Sequence, residues 1–132
     1  MINIGKFILA LLVFYVTAFS STPVQAAGEV DHEVYFEVRP GVPAWAFIQE
    51  TVVLLQVGES QPVVLESIYP MLYAGWRNQY LKVNDYDHDG LNDLAILQSV
   101  GHGGNDRCYA VYRYNPRSKA FNGNKSFDRC NI

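Results

Sequence analysis

The sequence predicts an all-β domain, an antiparallel meander of short strands in a compact sheet arrangement. Three observations predict it. Seven or eight short runs rich in β-branched and aromatic residues lie between Glu33 and Phe121, turn-forming residues separate them, and one acidic, glycine-containing loop sits between two of the runs. The chain has 132 residues, room for a single domain.

The first segment is set apart from the fold. Lys6 precedes the 13-residue apolar run Phe7 to Phe19, Ser20 to Pro23 breaks that run, and Val24 to Ala26 places small residues where a signal peptidase reads. A membrane span needs about 20 apolar residues. The expectation is therefore a signal peptide over 1–26, cleaved after about Ala26, and a periplasmic or secreted domain over 27–132 with no stable membrane span after processing. The processed chain holds nine Lys+Arg against thirteen Asp+Glu, a net charge of −4. With no basic run or basic aromatic stripe, nucleic acid is not an expected partner.

The runs follow in order. Glu33 to Val38 mixes β-branched and aromatic residues and stops at the two prolines and glycine of 39–43. Ala44 to Ile48 and Thr51 to Val57 come next. Their apolar residues are dense enough that a helix over 44–57 competes with two strands. Pro62 to Ile68, Tyr80 to Val83, Leu94 to Leu97, Cys108 to Tyr114 and Lys119 to Phe121 complete the series, with Asn115 to Ser118 as a turn before the last. Tyr109, Tyr112, Tyr114 and Phe121 are expected to pack across strands, and Trp45 and Trp76 to anchor the core.

The acidic loop carries the chemistry. Asp85, Asp87 and Asp89 stand at loop positions 1, 3 and 5, Gly90 at 6 and Asp93 at 9. That spacing lets alternate carboxylates converge as the backbone curls, with Gly90 supplying the left-handed conformation and the carbonyl of Leu91 facing inward. Calcium takes six to eight hard oxygens, which four carboxylates, a carbonyl and water provide. Two like charges about 4 Å apart cost roughly 4 kcal/mol at an effective dielectric near 20, so the loop resists closing without a cation. It is not an EF-hand, because position 12 is Ile96 rather than Glu and the flanks are strand-like. Affinity nearer the extracellular range, roughly 10⁻⁴ to 10⁻³ M, follows from the missing ligand.

Lys82 to Leu94 resembles the calcium loop of FG-GAP and VCBS repeats, the blades of integrin-type propellers. The continuation, Leu97 to Asn105, Tyr109 to Pro116 and Phe121, is similar to small exported bacterial proteins in which a Gly-rich loop, a Tyr-rich strand and an Asn-Pro turn follow one such loop. Those include periplasmic inhibitors of invertebrate-type lysozyme and the lysozyme-inhibiting immunity proteins of type IV secretion systems. The resemblance implies a propeller-like β fold, bound calcium and inhibition of a lysozyme-like peptidoglycan hydrolase by an inserted loop. This chain departs from the inhibitors' pattern in the longer spacing between Ser99, Gly101 and Tyr109.

The segment Ser99 to Arg107 is the expected contact loop, with Ser99, His102, Asn105, Arg107 and Tyr109 as partner-binding residues. Its three glycines permit close approach, and an Arg or His fits the paired carboxylates of a lysozyme-like cleft. A plain turn between two strands is the competing reading. Cys108 and Cys130 make an even count in an oxidising compartment, which points to a disulfide. Metal binding by the pair competes, without CxxC spacing or a nearby His. His32, His88 and His102 match no zinc spacing. No GxSxG, HExxH or Cys–His pair suggests catalysis, so a binding module is expected rather than an enzyme. The alternative to inhibition is a calcium-stabilised periplasmic domain binding another protein or a glycan.

Overall fold

The computed structural model describes residues 30–68 and 79–132. The expected signal peptide over 1–26 and Trp76 lie outside these residues. The described chain is all β, in two antiparallel sheets. The first sheet runs β1 (Val30–Arg39), β2 (Val42–Gln49), β3 (Val52–Val57) and β4 (Val63–Ser67) in sequence order. The second runs β5 (Leu81–Asn84), β6 (Asp93–Gly101), β7 (Asp106–Asn115) and β8 (Ala120–Gly123), with β9 (Arg129–Cys130) beside β8 on the same edge of β7.

Alternation decides which faces are buried. Along β1 the side chains of Val34, Phe36 and Val38 point inward, while Glu33, Tyr35 and Glu37 are exposed. The segment 44–57 forms a hairpin, not a helix. Ala44 to Gln49 pairs with Val52 to Val57, and the two-residue turn between them bends at Glu50, whose φ is 56°. Trp45 corrects another expectation: it does not anchor the core. It lies on the outer face, its ring parallel to Tyr35 at 5.5 Å and stacked on Phe47 at 4.1 Å. Glu33 Oε2 accepts hydrogen bonds from both Trp45 Nε1 (2.9 Å) and Tyr35 Oη (3.2 Å).

One hydrophobic core spans both sheets. Ile48, Val53 and Leu55 from the first sheet and Leu94, Ile96, Tyr109 and Val111 from the second are all nearly or fully buried within it. Full burial of such a side chain stabilises the fold by about 1.5–3 kcal/mol. Tyr114 and Phe121 pack across β7 and β8 at 5.4 Å, and Phe121 meets Phe36 of β1 edge-on at 6.1 Å.

Polar groups join the sheets as well. Glu66 at the end of β4 accepts from Gln98 Nε2 (2.5 Å) and Tyr112 Oη (3.2 Å). Burial raises the Glu66 carboxyl above its ordinary range, although both hydrogen bonds work the other way. Burial also pushes the Tyr112 hydroxyl up to about 12, helped by the Glu66 charge. Gly123 on β8 leaves the space that the Tyr112 ring occupies. A Cβ there would fall 2.8 Å from Cε1, too close for any real contact.

Candidate metal centre

The acidic loop is the short link between β5 and β6, held at both ends by pairing of Asn84 with Asp93. Backbone N–H groups aim the carboxylates. Asp85 Oδ1 accepts from Asp89 N at 3.1 Å and its Oδ2 from Gly90 N at 2.8 Å. Asp89 N also lies 3.4 Å from Asp87 Oδ1, and Leu91 N donates to Asp89 Oδ1 at 2.9 Å. Two left-handed residues, His88 (φ 59°) and Gly90 (φ 86°), turn the chain back on itself. Asp85, Asp87 and Asp89 thereby each offer an oxygen within 4.8 Å of the others, a cluster that could hold a metal ion. His88 is exposed and is not part of the cluster.

The loop is also pinned from the other sheet. Asn92 donates through its backbone N to Val38 O (2.8 Å) and through Nδ2 to Glu37 O (2.7 Å). The end of β1 thus fixes where the loop turns into β6, a role the sequence reading did not give to Asn92.

Asp93 is the residue that distinguishes this loop from an ordinary acidic turn. Its side chain is fully buried. Oδ2 accepts from Tyr86 N at 3.0 Å, while Oδ1 has no hydrogen-bond partner. Burial pushes its carboxyl up to about 6 against the Tyr86 hydrogen bond, and the charges of Asp89 and Asp85 add to the rise. Asp93 is not one of the three carboxylates that lie within 4.8 Å of one another, but it lines a small recess together with Asp87. A buried carboxylate oxygen without a donor costs free energy unless a cation meets it, so the donor set fits a hard divalent ion. Asp85 differs. Desolvation opposes its ionisation, but hydrogen bonds from Gly90 and Asp89 and the nearby His88 outweigh that and hold it below its usual range.

The sequence reading missed Arg113 of β7. Its Nη2 forms an ion pair with Asp87 Oδ2, and its guanidinium carbon lies 4.4 Å above the Phe127 ring.

The expected contact loop is corrected in form. It is the extended end of a β-hairpin: Ser99 pairs with Cys108, Val100 with Arg107 and Gly101 with Asp106, leaving a tight turn over His102–Gly104. Ser99, Gly101, Gly103 and Asn105 are exposed at this tip, and the His102 side chain lies outside the described atoms. Two expected partner residues are not presented outward. Tyr109 is 1% exposed, because it faces the core from β7. Arg107 is half-buried and donates from Nη1 to Gln79 Oε1 at 2.7 Å. The sulfurs of Cys108 and Cys130 lie at disulfide distance, where β7 and β9 bring the two residues opposite each other.

No known family model, curated protein or solved structure matches this chain.

Proposed function

We propose that the protein is an exported calcium-binding module that neutralises a lysozyme-like peptidoglycan hydrolase by presenting the β6–β7 hairpin tip to it. The observation that carries the metal half is the unpartnered, fully buried oxygen of Asp93, a residue that shares a recess with Asp87 of the Asp85–Asp87–Asp89 cluster. Asp85, Asp87, Asp89, Asp93 and the carbonyl of Leu91 are the groups that would hold the ion. Calcium suits this all-oxygen set better than magnesium, which keeps more of its water. Its role is to neutralise the loop and fix the start of β6, from which the hairpin extends.

Support for the inhibitory half comes from the likeness of the loop and its sequel to lysozyme inhibitors, and from the form of the tip. It projects exposed Ser99 and Asn105, and the Cys108–Cys130 pair and two Arg107–Asn131 hydrogen bonds brace its base. Arg107 would act from that base by positioning the tip. Muramidase assays across chicken-, goose- and invertebrate-type enzymes and secreted effectors test the proposal. A stoichiometric, calcium-dependent loss of activity is expected for at least one, and His102→Ala, Asn105→Ala or Arg107→Ala should weaken it by about tenfold or more, the scale of an interface residue worth at least 1.4 kcal/mol. Inhibition of none would contradict it.

A second reading has its own observation. Tyr35, 66% exposed, and Trp45 form a stacked pair beside a groove of about 260 Å³ lined also by Pro43 and Gln56. Such a surface favours a calcium-stabilised periplasmic domain that binds a glycan or another protein, and retained binding to peptidoglycan without inhibition would select it.

A further inference from the structure

The acidic loop is met by a positive charge from a different strand. Arg113 of β7 pairs with Asp87 Oδ2, and the two residues line one small recess together with Asp93 and Phe127. The Asp87 side chain is only 13% exposed, so its charge needs a counter-charge whenever the loop is formed. A guanidinium is permanently charged. The two oxygens of Asp87 are divided between the two sides: Oδ1 faces the loop near Asp89 N, and Oδ2 faces Arg113.

We propose that Arg113 is the resident counter-cation of the loop, holding Asp87 when no metal is bound and lowering the affinity of the cluster for a divalent ion. The proposal rests on the metal-binding role assigned above. One carboxylate serves both cations, so each draws on charge the other uses. A divalent ion at the cluster is also repelled by the guanidinium, which the Phe127 ring face keeps close by. Arg113 therefore acts in opposite directions on two quantities: it stabilises the ion-free fold and weakens ion binding. An arginine that served only as packing would stabilise both states alike.

The test is calorimetric titration of the processed protein with CaCl₂, paired with thermal melts in EDTA. Arg113→Gln is expected to bind Ca²⁺ about tenfold more tightly than wild type, the effect of removing one like charge from beside a divalent ion even at a water-like dielectric. In EDTA the same variant should melt several degrees lower. Arg113→Lys keeps the charge and should return both values toward wild type. Arg117→Gln removes the same charge from an exposed turn and should change neither. If wild type binds Ca²⁺ and Arg113→Gln binds it no more tightly, or if Arg117→Gln tightens binding equally, the proposal is overturned. A wild-type protein that takes up no Ca²⁺ overturns the metal assignment beneath it instead.

Discussion

Asp93→Asn is expected to remove most of the stabilisation that calcium gives, while leaving the ion-free protein at least as stable as wild type near pH 7. At a calcium concentration 100 times Kd, a single site stabilises the folded state by about 2.7 kcal/mol, a rise in Tm of about 10–20 °C for a domain of this size. The opposite signs follow from the burial of Asp93 and its unpartnered oxygen. With calcium, the ionised carboxylate supplies a ligand. Without it, the same charge is buried beside Asp85 and Asp89 and opposes folding.

The pH dependence carries the same signature. The folded-state carboxyl is raised to about 6 from an ordinary 3.8. A raised carboxyl means that the folded state holds its proton more tightly than the unfolded state. Its contribution to stability is thus fully present below the ordinary value and is lost as pH rises through about 6. Melts in EDTA from pH 4 to 8 should show this decline in wild type and a smaller one in Asp93→Asn, where the raised Glu66 carboxyl still contributes. A variant that still gains its full calcium stabilisation would show that Asp93 is no ligand.

The second large effect concerns the C-terminal edge. Cys108→Ser with Cys130→Ser is expected to destabilise the processed protein by about 3 kcal/mol, the chain-entropy value for a link between residues this far apart. The separation is 22 residues. β9 has two exposed residues and, among the described residues, pairs only with Cys108 and Tyr109, and its neighbour Asn131 exchanges two hydrogen bonds with Arg107 at 2.7 and 3.0 Å. Freeing β9 would therefore also loosen the base of the β6–β7 hairpin. Urea unfolding of the double variant against wild type, both in calcium, measures the loss. A difference below about 1 kcal/mol would place the stability of this edge in packing alone.

Most strands were legible in the sequence because their signal is local. The β-branched and aromatic runs at 33–38, 51–57 and 108–114 each favour extended backbone, and the structure places strands on all three. The hairpin at 44–57 was ambiguous for a local reason too. Its turn, Glu50-Thr51, contains no glycine, proline or asparagine, and Glu50 adopts the left-handed conformation without a residue that announces it. The segment 99–107 left two readings open, a contact loop and a turn between two strands; the structure shows such a turn, with pairing of Ser99 with Cys108 through Gly101 with Asp106 carrying the ladder almost to its end.

The candidate metal site divides along the same line. The convergence of Asp85, Asp87 and Asp89 is written in their spacing, since alternate residues on a tight curl face the same centre. The long-range partners were invisible. Nothing in a tyrosine-rich strand shows that Arg113 reaches Asp87, or that Asn92 reaches back 54 and 55 residues to the carbonyls of Val38 and Glu37. Local sequence also does not show that β7 turns Tyr109 into the core or that Arg107 meets Gln79.

Calorimetric titration of the wild-type processed domain with CaCl₂, after exhaustive treatment with EDTA, tests the central claim most directly. One saturable site with an affinity in the range of roughly 10⁻⁴ to 10⁻³ M is the expected result for a loop lacking a twelfth-position carboxylate. No heat of binding up to tens of millimolar calcium, with a melting temperature indifferent to chelator, would contradict it.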